Sequence, residues 1–551
     1  MGAGIHGVAI ARELLLNGVN VTLVDAGDLA SGATSKSSRL IHGGLRYLEY
    51  GDLQLVQESL DERRRNLELA GHFVKPLELF IPVEHAWSGL LASAVGFAGL
   101  KRSALGRWLA PGTTSRGFWP VRIGLGMYDW LAGNQGLPAS RALPLQDPQA
   151  PRVDRQRYSG LLAYSDAQML YPERVVLALL ADARALATER HLTLDVATYA
   201  QLNRQPDGRW NITSPLFTQP RTCAPQVIVN ASGAWGDRTL QIFGIPDAAF
   251  FGGTKGSHLI TWHAGLRAAL NGRAVYAEAE DGRPVFTLPF GDAVLIGTTD
   301  VSFEGDPRDA RASEAEIAYL LAMVERVFGI RLSRNDITLH YSGVRPLPRQ
   351  SAATNAAVSR DHHVLWQTDQ ATPIVTLVGG KLTTWRSLAE EVVTQVLSRV
   401  GSNRVATTTA RKLPGHDALP AGLSPGVSLW QHWAAAYETT AEEVAELWPL
   451  YGTRVTEVLS AVVREPGKTL RDTALTDRVV RWIIRNEAVT QLHDLIERRL
   501  MTIFAPQLSM HHVSDLADCL VETGQLRLAD RDAAVAEAIT HLSTYYGRRL
   551  S

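Results

Sequence analysis

The chain is 551 residues long, 45% hydrophobic, with 55 basic and 56 acidic side chains and a net charge of −1. This composition excludes a disordered chain and has no basic excess to advertise nucleic acid, and the length fits two to four domains. Two cysteines, Cys223 and Cys519, exclude a disulfide scaffold, a cysteine-based zinc site and an iron–sulfur cluster.

The first segment, GAGIHG over Gly2 to Gly7, runs into VAIARELLLNG, whose Val8, Ile10, Ala11, Leu14 and Leu15 repeat at helical spacing. VNVTLVD then reads as a short strand ending in Asp25, which stands 18 residues past Gly7. This is the loop, helix and second strand of a dinucleotide-binding unit: bare backbone approaches a pyrophosphate at a helix amino end, and the acid takes ribose hydroxyls. The strand that should precede the loop is missing, because Met1 sits directly before Gly2. A start downstream of the true one is the favoured expectation.

DLASGATSKSSRL follows as a small polar loop suited to lie along a cofactor, then HGGLRY, then a helix from about Leu53 to Ala70 with Asp52 at its N-cap. Its charge run, Glu62 to Arg65, reads as a solvated face. Residues 81–154 are irregular, rich in Trp, Gly and Pro, and read as an insertion. Within them Trp87 to Leu100 is uncharged and followed by Lys101 and Arg102, with Arg107, Trp108 and Trp119 nearby. It is too short to span a bilayer and suits a buried or an interfacial segment. No run announces a spanning helix. Tyr171 to Ala187 predicts a helix with proline in its first turn, and Val227 to Asn230 a buried strand entering the small-residue turn ASGAW. From Gly256 to Asp300, strands alternate with reversals at Asp281–Gly282 and Gly291–Asp292, which predicts an antiparallel sheet. Ile374 to Val378 is a further buried strand before GGKLTTWRSLAEEVV. After about residue 403 the patterns are helical and carry no evident chemical constellation.

The fold class expected is therefore α/β plus β: a Rossmann-like domain lacking its first strand, an antiparallel substrate domain, and a C-terminal all-helical domain over 403–551. The dinucleotide domain is expected to be discontinuous, over 1–80, 155–240 and 340–402, with the substrate domain over 81–154 and 241–339. Adjacent histidine pairs point apart and suit no metal. Cations sit on glycine-punctuated turns instead: Arg46, Lys255, Arg345, Arg360 and Lys381, with His258 beside them. Arginines at strand-ending turns suit a small phosphate-bearing substrate.

The motif order GAGIHG, SKSSRLIHGGLRYLE, NASGAW, KGSHL, IGTTD, YSGVRPL, GGKLTTWRSLAE resembles the FAD-dependent, quinone-linked sn-glycerol-3-phosphate dehydrogenases, from residue 2 to about 400. YGTRVTEVL and RNEAVTQLHDLIERR give a weaker match beyond. The resemblance implies a D-amino-acid oxidase-like fold with FAD. It also implies hydride transfer from C2 of glycerol 3-phosphate to flavin N5, with electrons passed to a quinone at the inner face of the cytoplasmic membrane by a peripherally attached cytoplasmic protein. By matching motifs, Arg46, Tyr47, Arg345, Arg360, Lys381 and Thr384 would hold the substrate. Arg345 and Lys381 would join the catalytic set with a base that is either His258 or His42. Gly2, Gly4, Gly7, Asp25, Ser37, Ser38, His42, Gly43, Gly44, Gly380, Lys381, Leu382 and Thr383 would surround FAD.

The chain departs from the family pattern in its absent first strand, in Asp25 where glutamate is usual, in NASGAW for NATGPW, and in a longer stretch over 85–120. Competing readings are a glycerol-3-phosphate oxidase that uses O2, a flavin oxidase of an amino or hydroxy acid, and a truncated, FAD-free homologue. A homodimer is left open.

Overall fold

A computed structural model describes residues 1–50, 52–84, 117–133, 135–349, 362–368, 370–506 and 508–550. The helix Ile5–Leu16 is apolar except at His6, Arg12 and Glu13, and almost all of it is buried. A helix of that kind must be enclosed, and here Pro172–Glu189 and Trp385–Arg399 pack on it. Its two charges are paired, Arg12 with Asp182 at 2.6 Å and Glu13 with Arg404 at 2.5 Å.

Beneath these helices lie two small sheets. Val21–Val24 pairs in parallel with Leu194–Ala197, and Ile228–Asn230 pairs in parallel with Ile374–Val378, which carries His363–Gln367 antiparallel on its far side. Met1 and Gly2 stand between them: Met1 N donates to Val229 O, Ala231 N to Met1 O, and Gly2 N to Val24 O, at 2.8–2.9 Å. The position of the expected first strand is thus held by two residues, and the parallel layer is divided there.

The large sheet runs Val301–Ser302, Thr254–Thr261, Ala293–Gly297, Pro284–Phe290, Ala274–Glu278, Val74–Val83, Gly160–Met169, Leu40–Ile41. Leu339–Arg345 also pairs with Thr254–Thr261, and Arg141–Leu143 with Gly160–Met169. The predicted reversals close their hairpins, with Glu278 opposite Pro284 and Phe290 opposite Ala293. Two long members run across the domain bounds expected from the sequence. Val74–Val83 and Gly160–Met169 lie largely in stretches assigned to the dinucleotide domain, yet they pair with each other over ten residues and join the substrate sheet. Residues 118–132 of the supposedly irregular insertion form a helix. Beyond Val427 the chain is helical, as the pattern predicts.

The run Glu62–Arg65 is a second correction. Glu62 and Arg63 are buried on the helix Leu53–Leu69, not solvated. The segment Trp87–Leu100 and Arg360 lie outside the described residues. Among the described residues no helix is long and apolar enough to cross a membrane.

Candidate active site

A cavity of about 1130 Å³ extends from the glycine loop, over the face of the large sheet, to the C-terminal helices. At one end Gly2 has φ +94°, and a Cβ there would lie 2.4 Å from Ala231 O. Gly4 occupies the N-cap of Ile5–Leu16 and brings no side-chain acceptor, so Gly4, Ile5 and His6 turn the positive helix end to the cavity. Gly7 does not line the cavity; a Cβ on it would meet Gly2 O at 1.8 Å, so it serves the packing of helix on loop. Asp25 does line it, accepting from Ala3 N at 2.6 Å and Gly27 N at 2.8 Å. Burial raises its pKa against those two bonds. A carboxylate has about four acceptor positions, so two remain for ligand hydroxyls.

The middle of the cavity is built on the strand Thr254–Thr261 and its neighbours. His258 is opposite Tyr341 on one side and Gly297 on the other. A Cβ on Gly297 would be 2.3 Å from the imidazole, so glycine makes the room for the ring. The ring stacks on Tyr341 with centroids 4.8 Å apart, and Nε2 lies 2.8 Å from Ser38 Oγ. Burial, then the charges of Arg345 and Arg39, hold the His258 pKa well below 6.5, so it is neutral at physiological pH. Arg345 extends over Gly256, on the same face of the strand as His258, and donates to Asp300 Oδ1 at 3.0 Å and Thr298 Oγ1 at 3.1 Å.

Two loops supply the other wall. Gly44, at φ +76°, turns the chain into Leu45–Tyr50, which sets Arg46 and Tyr47 on the cavity. The second loop, Gly379 to Thr383, lines it as well, and Lys381 Nζ lies 4.3 Å from the Tyr47 ring centroid. The loops are tied by His42 N donating to Thr383 Oγ1 at 3.2 Å. His42, Ser37, Ser38, Gly380 and Leu382 also face the cavity. Gly43, Gly44 and Thr384 do not. Gly43 N donates into a buried pair, Tyr128 and Asp166, while Thr384 is the 1% exposed N-cap of Trp385–Arg399.

The far wall was missed in the sequence. Tyr199, His493, Glu497, Arg498, His541 and Tyr546 all line the cavity, five of them from the helical C-terminus. Arg498 and Arg499 clasp Asp28 in the loop that follows the second strand, at 2.6 and 2.7 Å. Lys36, from that same loop, bonds the Tyr546 hydroxyl, which in turn donates to Glu497. Burial pulls the Lys36 pKa down to about 8.

Residues 1–386 match a family described as FAD dependent oxidoreductase, and residues 406–526 match the C-terminal domain of alpha-glycerophosphate oxidase. The chain belongs to the FAD-dependent oxidoreductases. Its cofactor is FAD, and the amino end of Ile5–Leu16, Asp25 and the bare backbone at Gly2 and Gly4 suit that dinucleotide. Among its relatives is a glycerol-3-phosphate dehydrogenase of Synechocystis, 33% identical over 85% of this chain and 81% of the relative. The aerobic glycerol-3-phosphate dehydrogenase of Escherichia coli is 32% identical over 80% and 83%. D-erythritol 1-phosphate dehydrogenase of Brucella abortus is 30% identical over 91% and 93%. The solved glycerol-3-phosphate dehydrogenase of Bacillus halodurans, complexed with FAD, shares the fold at TM-score 0.69 and 21% identity, covering 99% of this chain and 94% of that one.

Proposed function

We propose that this flavoenzyme oxidises the C2 hydroxyl of sn-glycerol 3-phosphate to give dihydroxyacetone phosphate and delivers the electrons to a membrane quinone. What carries the reading is the convergence of Arg46, Lys381 and Arg345, from three distant stretches of chain, on one cavity with neutral His258. A phosphate ester matches such cations, since guanidinium groups bind its oxygens in pairs. The relatives named for glycerol 3-phosphate and D-erythritol 1-phosphate support a polyol phosphate.

Gly2, Gly4, the amino end of Ile5–Leu16, Asp25, Ser37, Gly380, Leu382 and Thr383 would hold FAD, which supplies the two-electron oxidant for the C2–H bond. The protein's own part is to orient and deprotonate. Arg46 and Lys381 fix the phosphate, and Arg345 orients the hydroxyl end. The hydroxyl proton passes to Ser38 Oγ as the serine's own moves 2.8 Å away to His258 Nε2. Of the two candidate histidines, His258 fits the base because burial keeps it neutral and a hydroxyl already bridges it to the cavity. The imidazolium formed beside Arg345 is short-lived for the same electrostatic reason, which returns the proton outward.

Attachment to the membrane is part of the reading, since the acceptor is dissolved there. The helix Phe118–Ala132 exposes Trp119, Ile123 and Trp130 along one face, Trp130 by 78%. Tryptophans on an apolar helix face suit the head-group boundary. Anaerobic addition of sn-glycerol 3-phosphate to the holoenzyme should bleach its flavin absorption, and plain glycerol should not. A water-soluble quinone should then restore the colour faster than O2. Rapid reoxidation by O2 with peroxide release would favour an oxidase, and bleaching by D-erythritol 1-phosphate in preference would move the substrate assignment. No bleaching by either phosphate would overturn the reading.

A further inference from the structure

On the helix Leu53–Leu69, Ser59, Glu62, Arg63 and Asn66 repeat at i, i+3, i+4, i+7, each at most 2% exposed. That spacing normally carries the apolar stripe of a packed helix. Burying four polar side chains there is costly unless each is bonded, so their partners reveal what the stripe is for.

Two ligand loops receive those bonds. Asn66 accepts from Trp385 Nε1 at 2.8 Å and donates to Thr383 O at 3.0 Å. Glu62 takes the Arg386 guanidinium at 2.7 Å, and Ser59 Oγ accepts from Lys381 Nζ at 3.2 Å. These three reach the loop that carries Lys381. Arg63 reaches the other loop by one intermediate: it donates to Asp166 Oδ1 at 2.8 Å, and that oxygen accepts from Gly43 N at 3.1 Å, three residues before Arg46. Tyr128 closes the group, donating to Asp166 at 2.6 Å and accepting from Gly43 N at 3.0 Å.

We infer that Asn66, Ser59 and Arg63 are positioning residues: one buried polar helix face sets the spacing of Lys381 and Arg46, and so the fit of the phosphate end of the substrate. The inference rests on the reading above that Lys381 and Arg46 hold a phosphate. A rigid helix holding both loops fixes the separation of two cations that no bond between them would fix, because like charges repel. The side chains of the stripe touch no reacting atom.

The test is a double-mutant cycle on the FAD-loaded enzyme, with steady-state kinetics on sn-glycerol 3-phosphate and flavin content measured for each variant. Asn66→Ala should raise KM by about 10-fold, and Ser59→Ala by about 3- to 10-fold, the loss of one hydrogen bond, with little change in kcat. In combination with Lys381→Ala, either should add much less than its single effect, because it acts through the same ammonium. Ser59→Ala guards against a variant that does not fold, since it deletes one exchangeable hydroxyl and no packing. If Lys381→Ala raises KM and the effects of Asn66→Ala and Ser59→Ala multiply with it in full, the stripe is merely structural and the inference falls. If Lys381→Ala itself leaves KM unchanged, the phosphate assignment of Lys381 falls first and takes the inference with it.

Discussion

Asp28→Asn tests how the C-terminal helices are fastened to the loop that follows Val21–Val24. Asp28 is 1% exposed and accepts from Arg498 Nε at 2.6 Å and from Arg499 Nη1 and Nη2 at 2.7 Å. Those arginines hold its pKa down to about 2 against the penalty of burial. The depression from 3.8 corresponds to about 2 kcal/mol favouring the ionised form, present above pH 3.8 and lost as pH falls towards 2. Replacement by asparagine leaves two buried guanidinium groups with less negative charge to face and turns an amide NH2 donor where a carboxylate oxygen accepted, and removing one partner of a buried ionic cluster costs about 3–5 kcal/mol. Asp494 and Glu497, bonded to Arg498 at 2.9 and 2.7 Å, offset part of this, so the lower end is expected.

Because the clasp joins residue 28 to residues 498 and 499, the loss should appear as earlier release of the helical region and not as uniform softening. Thermal melting followed by flavin fluorescence should shift down by several degrees, and protease should cut the linker around residues 403–426 sooner. Asp28→Glu should fare no better, since an added methylene has no room in a site without exposure. Unchanged melting and unchanged cleavage in Asp28→Asn would refute the assignment of this cluster as the fastening.

Arg345→Ala should lower kcat/KM for sn-glycerol 3-phosphate about 10- to 150-fold, the loss of a charge-assisted contact of about 1.5–3 kcal/mol to the hydroxyl end of the substrate; flavin content and melting temperature, which should change little, separate recognition from a structural role through Asp300. With His258 held neutral by burial, kcat at saturating substrate should show no acid limb near pH 6.5, whereas a limb there would exclude His258 as the base. Burial also holds His6, His72 and His340 at about 4; between pH 6.5 and 4 the unfolded chain binds protons that the folded one refuses, so stability should fall with pH, by about 1.4 kcal/mol per ring at pH 5.5, and the melting temperature with it. Ile123→Glu with Trp130→Glu should move the enzyme from vesicles to the soluble fraction while dye-coupled turnover survives; co-sedimentation that persists in the double variant would place membrane attachment elsewhere.

What was legible in the sequence is what is written locally. The glycine loop, its helix and Asp25 lie within 25 residues, so spacing alone reveals them, and the hairpins announce themselves through Asp281–Gly282 and Gly291–Asp292. The same reasoning fails where a residue's meaning is set by a distant partner. Glu62 and Arg63 look like any exposed charge run until Arg386 and Asp166 are seen opposite them. Val74–Val83 carries two prolines and a lysine, which demote it as a central strand by pattern, yet it pairs with Gly160–Met169 along its full length. Arg498 and Arg499 read as a basic helix end because Asp28 is some 470 residues away. The common cause is electrostatic. A charge in sequence is ambiguous between solvent and a buried partner, since burial is affordable only when the partner is present. Polar residues at the apolar spacing of a helix, as in Ser59, Glu62, Arg63 and Asn66, were the one local sign that the pattern had been spent on holding loops and not on packing.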